Sequence, residues 1–207
     1  TRRNHVGDLK FKNLDGDDVI HHGLNRADNS GDKTIIGNRS PRYVYGLNLG
    51  GDWNSFFLSV FFQGVGKQEW YPSRESPFWG QYNRPYNAYP RWQETEQFRP
   101  ELNNFDAYLP LLSGYTAQNA NGQLSLPNDR YLQNVAYIRL RTLNFGYTLP
   151  QSISSKIQAN NIKVYVSGEN LWNWSPLYKI TKDIDVANVW GAGSQLTGLN
   201  SDDVRTD

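Results

Sequence analysis

The chain has 207 residues and a formal net charge of +1, with a sequence pI near 7.8, so it carries no basic footprint for nucleic acid. Its mean hydropathy is -0.70, and no apolar run approaches the roughly 20 residues of a membrane helix. That excludes helical spans but not a β-barrel, in which half of each strand is polar; the lack of cysteine also excludes disulfides and thiolate metal sites. The chain begins at Thr1 with no Met and no signal peptide, as expected of a processed chain or an internal piece of a longer one.

Residues 7–37 are acidic and rich in turn formers. Asn13, Asp15 and Asp17 stand at the first, third and fifth positions of an EF-hand-like loop, and the Val19 carbonyl stands at the seventh. Hard oxygen donors at alternate positions suit one Ca²⁺ as cofactor. The loop departs from the template: Asp18 stands where a Gly is wanted, His21 occupies the ninth position and Leu24 the twelfth. Asp28 or Asp32 would have to supply the missing carboxylate. The other reading is a solvated acidic turn. His21 and His22 are adjacent and would face opposite ways on a strand, so they read as a loop pair rather than a transition-metal site. His5 stands alone.

A strand is expected over Arg42–Gly50, with Tyr43, Tyr45, Leu47 and Leu49 on one face and Val44, Gly46, Asn48 and Gly50 on the other. Gly50-Gly51-Asp52 supplies a hairpin turn. Trp53 opens the next strand. Phe56, Leu58, Val60 and Phe62 form its apolar face, and Phe57, Ser59, Phe61 and Gln63 its other face. Residues 66–129 break this rhythm and read as a long loop of the kind that tends to be functional, with a helical turn at Gln93–Phe98. The aromatics Trp70, Tyr71, Trp79, Tyr82, Tyr86, Tyr89 and Trp92 are its candidate substrate-binding residues, since Trp and Tyr faces stack on sugars or pack on peptide side chains. The alternative is that they pack on one another and stiffen the loop. Arg84 and Arg91 lie among them.

A long strand is expected at about 131–149, with a one-residue phase slip near Thr142 that signals a β-bulge. A short connection with one helical turn follows at 150–161, then a strand at 162–172 and a polar loop to Asp207. Trp172, Trp174 and Tyr178 at that strand's end fit an interfacial aromatic girdle. Connections thus alternate between short and long, as in outer-membrane barrels with short periplasmic turns and long extracellular loops. Four strands cannot close a membrane barrel, whose minimum is about 8, and open edges cannot face lipid. No catalytic constellation emerges: there is no G-x-S-x-G, H-E-x-x-H or P-loop, and the Glu69/Glu75 pair reads as solvated charge, so no enzyme is expected.

Several segments together resemble the C-terminal part of SusC/RagA-like TonB-dependent outer-membrane transporters of Bacteroidota. They are G-D-L-K-F-K-N-L-D-G-D-D-V-I (7–20), I-I-G-N-R-S-P-R-Y-V-Y-G-L-N (35–48), F-F-L-S-V-F-F-Q-G-V-G-K (56–67), F-W-G-Q-Y-N-R-P-Y-N (78–87), R-Y-L-Q-N-V-A-Y-I-R-L-R-T-L-N-F-G-Y-T-L-P (130–150) and V-Y-V-S-G-E-N-L-W-N-W-S-P-L-Y (164–178). The resemblance implies an all-β fragment of a large antiparallel transmembrane β-barrel in the outer membrane. It divides the chain into an acidic extracellular loop (1–41), a strand hairpin (42–65), a long extracellular loop (66–129), a second hairpin (130–172) and a last extracellular loop (173–207). The family's plug and final strand are expected to be absent from it. The implied function is import of oligosaccharides or peptides, with a SusD-like surface lipoprotein as partner, TonB engaged through the plug, and outer-membrane lipid around the strands. The rival is a secreted, calcium-stabilised β-sandwich that binds carbohydrate.

Overall fold

The computed structural model describes residues 5–24, 26–74, 76–113 and 122–189. The chain divides into two compact units. One comprises Asn38–Trp70 and Asn134–Asn188, the other Thr1–Gly37, Tyr71–Gln133 and Val189–Asp207. The strands are β1 (Arg42–Trp53), β2 (Phe56–Lys67), the two-residue β3 (Glu69–Trp70) and β4 (Gln133–Asn134), β5 (Tyr137–Thr148) and β6 (Lys163–Trp174). Two four-residue helices, α1 (Gln93–Glu96) and α2 (Gln151–Ser154), stand where single helical turns are expected.

In the first unit, β1, β2, β5 and β6 form one antiparallel sheet in that order. β1 reaches β2 through Asn54–Ser55, both at positive φ (46° and 72°), the sign pattern of a type I′ turn. The turn expected at Gly50-Gly51-Asp52 does not form; Gly50 pairs with Ser59 and Gly51 with Leu58 inside the ladder. Register explains the correction. A turn at 50–52 would set Leu47 against Ser55 and Tyr45 against Phe57, mixing the two faces. The observed turn sets Leu47 against Phe62 and Leu49 against Val60, keeping apolar residues together.

β5 begins at Tyr137 rather than near residue 131, because Asp129–Tyr131 forms a 3₁₀ turn whose first cap, Asn128, accepts the Tyr131 N–H at 3.3 Å. The phase slip is present. Pairing with β2 shifts between Leu140 and Thr142, and β6 shifts opposite the same point at Asn170 (φ 53°), whose Oδ1 accepts from Arg141 Nη1 at 3.0 Å. α2 and a 3₁₀ turn at Ser155–Ile157 bridge β5 to β6. The other sheet among the described residues is the two-stranded β3–β4 pair, too small for the second layer of a β-sandwich. No described helix is long and apolar enough to cross a membrane.

The second unit has little regular structure, and its core is aromatic. Phe78, Trp79, Tyr82, Leu109, Leu124 and Tyr131 are at most 1% exposed. Phe78 meets Trp79 edge-on at 5.1 Å, Trp79 meets Tyr131 at 5.6 Å, and Tyr131 meets Tyr108 at 5.2 Å. Edge-to-face packing suits the ring quadrupole and adds about 0.5–1.5 kcal/mol per pair beyond area burial.

Candidate functional site

The sheet has two chemically distinct faces. One mid-strand row runs Leu49–Val60–Leu143–Gly168; the adjacent row, pointing the other way, runs Gly50–Ser59–Asn144–Ser167. The apolar face continues through Leu58, Phe145 and Val166. It ends in aromatics on both sides: Trp53, Phe56 and Tyr147 beside the short turn, and Trp172 and Trp174 at the far end. From Tyr45 to Trp53, between the rows that carry these aromatics, β1 spans about 26 Å at the usual strand rise. This face is open: Trp53 is 79% exposed, Val166 70% and Trp174 51%. Leaving a large apolar side chain in water forgoes about 1.5–3 kcal/mol, and a continuous apolar face of this kind marks a membrane or partner surface.

The opposite face carries Asn48, Gln63, Asn144, Glu169 and Asn173, with Phe57 and Phe61 among them. Arg139 is buried there and pairs with Asp185, which also accepts the Ala187 N–H at 3.1 Å and Asn188 Nδ2 at 3.0 Å. This ties the segment holding Leu177, Ile184 and Val186, all buried, to the polar face. Tyr178 does not join the two tryptophans. Its hydroxyl accepts from Asn173 Nδ2 at 2.9 Å, on the polar side.

The seven aromatics singled out in the sequence fall into different settings. Trp79 and Tyr82 are enclosed: Trp79 Nε1 donates to the Pro72 carbonyl at 2.9 Å, and the Tyr82 hydroxyl donates to the Pro110 carbonyl. Trp70, in the sheet unit, is 6% exposed. Tyr71, Tyr89 and Trp92 are half-buried; Tyr71 donates to the Leu124 carbonyl at 2.9 Å and Tyr89 to Gln97 Oε1 at 2.6 Å. Only Tyr86, at 79%, stands clear of the packing, its hydroxyl accepting from Arg84 Nη1 at 3.1 Å. Burial holds the phenols of Tyr71, Tyr82 and Tyr131 far above their ordinary pKa, so they remain protonated donors. Glu69 Oε2 accepts the Asn38 N–H at 2.6 Å, and Glu75 lies outside the described residues.

The acidic loop is built on side-chain amide and carboxylate oxygens that accept backbone N–H groups. Asn13 Oδ1 takes Gly16 at 2.6 Å, and Asp17 Oδ1 takes Val19 at 2.9 Å. Asp32 holds both ends, accepting Leu14 N–H at 2.6 Å and His21 N–H at 2.8 Å. Asp18 adopts φ 63°, supplying the left-handed step for which the template uses Gly. His21 Nε2 lies 2.9 Å from Asp17 Oδ2 and 3.1 Å from Asp15 Oδ2, and donor atoms of these three residues gather within 4.8 Å.

The oxygen donors of Asp15 and Asp17 suit Ca²⁺, while His21, a nitrogen donor, takes the ninth position. Asp28 is exposed and has no role in this cluster, whereas Asp32 braces it. The hydrogen bond to Asp17 and the charges of Asp17, Asp15 and Asp32 raise the His21 pKa. The Val19 N–H lowers that of Asp17, and the Leu14 and His21 N–H groups lower that of Asp32. The bracing role of Asp32, 19 positions after Asn13, had no signal in the sequence beyond its being one of several acids nearby.

No protein-family profile matches the chain. It is 27% identical over 162 residues to TonB-dependent receptor P3 of Formosa agariphila, covering 78% of this chain and 14% of that protein. It is 24% identical over 198 residues to TonB-dependent receptor P26 of the same organism, covering 94% of this chain and 18% of that one. The chain therefore spans less than a fifth of these relatives' length. Among solved structures it resembles the RagAB peptide importer in its closed-closed state, with a TM-score of 0.50 and 19% identity over 72% of this chain and 15% of that one. By sequence and by fold, the chain resembles a SusC/RagA-like segment of the outer-membrane TonB-dependent receptors.

Proposed function

We propose that this chain is a wall-and-loop segment of a barrel that imports oligosaccharides or peptides across the outer membrane. The observation that carries the reading is the sheet's apolar face, about 26 Å long and closed by aromatics at both ends, which suits the about 25 Å apolar band of outer-membrane barrels. The polar face lines the lumen. The edges of β1 and β6 pair with further strands of the parent barrel, because backbone groups facing lipid must be satisfied. TonB supplies energy, and a SusD-like lipoprotein meets the loops. Likeness to a peptide importer supports peptides as one cargo class.

The described residues between 71 and 133 form a packed extracellular insert whose exposed and half-buried aromatics, Tyr86, Trp92, Tyr89 and Tyr71, meet the cargo, while Trp79 and Tyr82 hold it together. The test is uptake of labelled oligopeptides and oligosaccharides by cells carrying the full-length protein with Tyr86→Ala and Trp92→Ala. The heat-shifted gel band of a folded barrel serves as control. Uptake should fall severalfold with the band unchanged; unchanged uptake would make these rings purely structural. A soluble native protein would end the importer reading itself.

The acidic loop, in the same reading, takes one Ca²⁺ through Asp15 and Asp17 with Asn13 and the Val19 carbonyl, braced by Asp32. Calcium should raise the resistance of residues 13–32 to proteolysis relative to EDTA. Equal cleavage in both would leave the loop a solvated turn.

A further inference from the structure

A cavity of about 270 Å³ lies within the second unit, between the 7–10 segment and residues 98–110, with Arg130 and Tyr131 at its wall. None of its lining residues stands out in the sequence. Gly7 makes its floor possible. At φ 91° a Cβ there would come within 2.2 Å of the Phe98 ring, so only glycine lets that ring lie against the backbone. The Gly7 carbonyl accepts the Leu111 N–H at 2.8 Å, and the Leu9 N–H and carbonyl are held by the Gln123 side-chain amide at 3.2 and 3.3 Å. The walls are thus fixed by backbone bonds on both sides.

The charge at this cavity is lopsided. Arg130 donates from Nε to the Tyr108 carbonyl at 3.0 Å and from Nη2 to the Ala107 carbonyl at 2.8 Å, and it lies over the Tyr108 and Tyr131 rings at 5.8 and 5.9 Å. These contacts fix the guanidinium in place without neutralising it, and among the described residues neither Arg130 nor Lys10 has a carboxylate partner. The one acid at the cavity, Asp8, has a side chain only 2% exposed and accepts the His5 N–H at 2.6 Å. Beside the two cations stands the Phe98–Phe105 pair, with rings 5.9 Å apart and Phe105 70% exposed. A positioned guanidinium matches a carboxylate bidentately, and three of its five N–H groups, both on Nη1 and one on Nη2, remain for one here.

We propose that this cavity binds the carboxylate of an acidic ligand, with Arg130 and Lys10 on the carboxylate and Phe105 on the ligand's apolar flank. Its volume equals about nine waters, the size of a terminal amino acid with its neighbour or of one sugar ring. The carboxylate belongs either to a peptide C-terminus or to a uronic acid. The proposal deepens the importer reading and rests on it for the ligand's origin; direct binding tests it apart from transport.

The experiment is equilibrium binding to the purified full-length protein in detergent with two probe pairs, N-acetyl-glycyl-leucine against its C-terminal amide and methyl glucuronide against methyl glucoside. The acid of at least one pair should bind about tenfold tighter than its neutral partner, as expected for one charge-assisted contact, and more weakly as salt rises. Preference for the peptide acid identifies a peptide terminus; preference for the glucuronide identifies an acidic glycan. Lys10→Gln and Phe105→Ala, both at exposed positions, should each weaken the preferred acid severalfold. Arg130→Gln should remove the preference, and Arg130→Lys should restore part of it. Equal binding of acid and neutral probes, no binding of either, or indifference to Lys10→Gln and Phe105→Ala together would overturn the proposal. If binding fails while uptake persists, the cavity assignment falls and the importer reading stands.

Discussion

The tryptophans of the sheet's apolar face and that of the second unit's core do opposite things. In the sheet unit, Trp53, Trp172 and Trp174 point outward and stay half exposed or more. In the second unit, Trp79 is fully enclosed by other rings. A core collapses because water is a poor solvent for apolar surface. In the proposed reading, the sheet's open apolar face meets lipid, whereas the aromatic core of the second unit closes on itself away from water.

Trp79→Ala tests the insert's side of this contrast and should have the largest effect. Removing an enclosed Trp costs about 3–5 kcal/mol. The 71–133 segment should become protease-sensitive while the folded band of the barrel persists. Loss of the band would show that the insert's core also supports the sheet.

Leu143→Arg tests the other side. Leu143 lies mid-strand in the apolar row, opposite Val60 and Gly168. An arginine facing lipid at the midplane costs about 2–4 kcal/mol, to be read as reduced stability after folding into lipid vesicles. Asn144→Arg, one residue on and facing the polar side, should leave that stability nearly unchanged. Equal effects of the two would contradict a lipid-facing assignment.

The smallest effect is electrostatic and local. Without metal, in EDTA, the His21–Asp17 pair has a His pKa raised above 6.5 and an Asp pKa lowered below 3.8. The histidine's contribution to loop order is present below pH 6.5 and is lost as pH rises through the raised folded value. Those of Asp17 and Asp32 are present above pH 3.8 and are lost as pH falls through the lowered folded values. The Gly23 N–H donates to His21 Nδ1 at 2.9 Å, a bond the protonated ring cannot accept, which limits the rise. An NMR titration of labelled histidine should give a midpoint above 6.5 that drops on Asp17→Asn. A midpoint at or below 6.5 would show that the Gly23 bond dominates.

The strand faces were legible residue by residue, because side chains alternate with period two: Phe56, Leu58, Val60 and Phe62 share a side in the structure as the sequence implies. The bulge near Thr142 was legible for the same reason, as a slip in that period. The first hairpin turn was misplaced because glycine is the strongest local turn signal, and the Gly50-Gly51 pair outweighed Asn54-Ser55. Only the summed cross-strand pairing of 12-residue strands decides such a competition. At the candidate site, the acids at 13–17 were visible as a spacing. The hold of Asp32 on Leu14 and His21, and the meeting of Gly7, Phe98 and Arg130 around one cavity, were not.

The sequence by itself determined the alternating faces of the sheet and its bulge, which follow from short-range periodicity, but not where the strands turn or begin: Trp53 ends β1 rather than opening β2, and β5 starts at Tyr137. Tertiary structure decided which aromatics are walls and which are surface, since burial in an irregular insert depends on contacts across long chain separations. The Trp79–Tyr131 contact and the Leu9–Gln123 bonds are of that kind, and no local pattern encodes them.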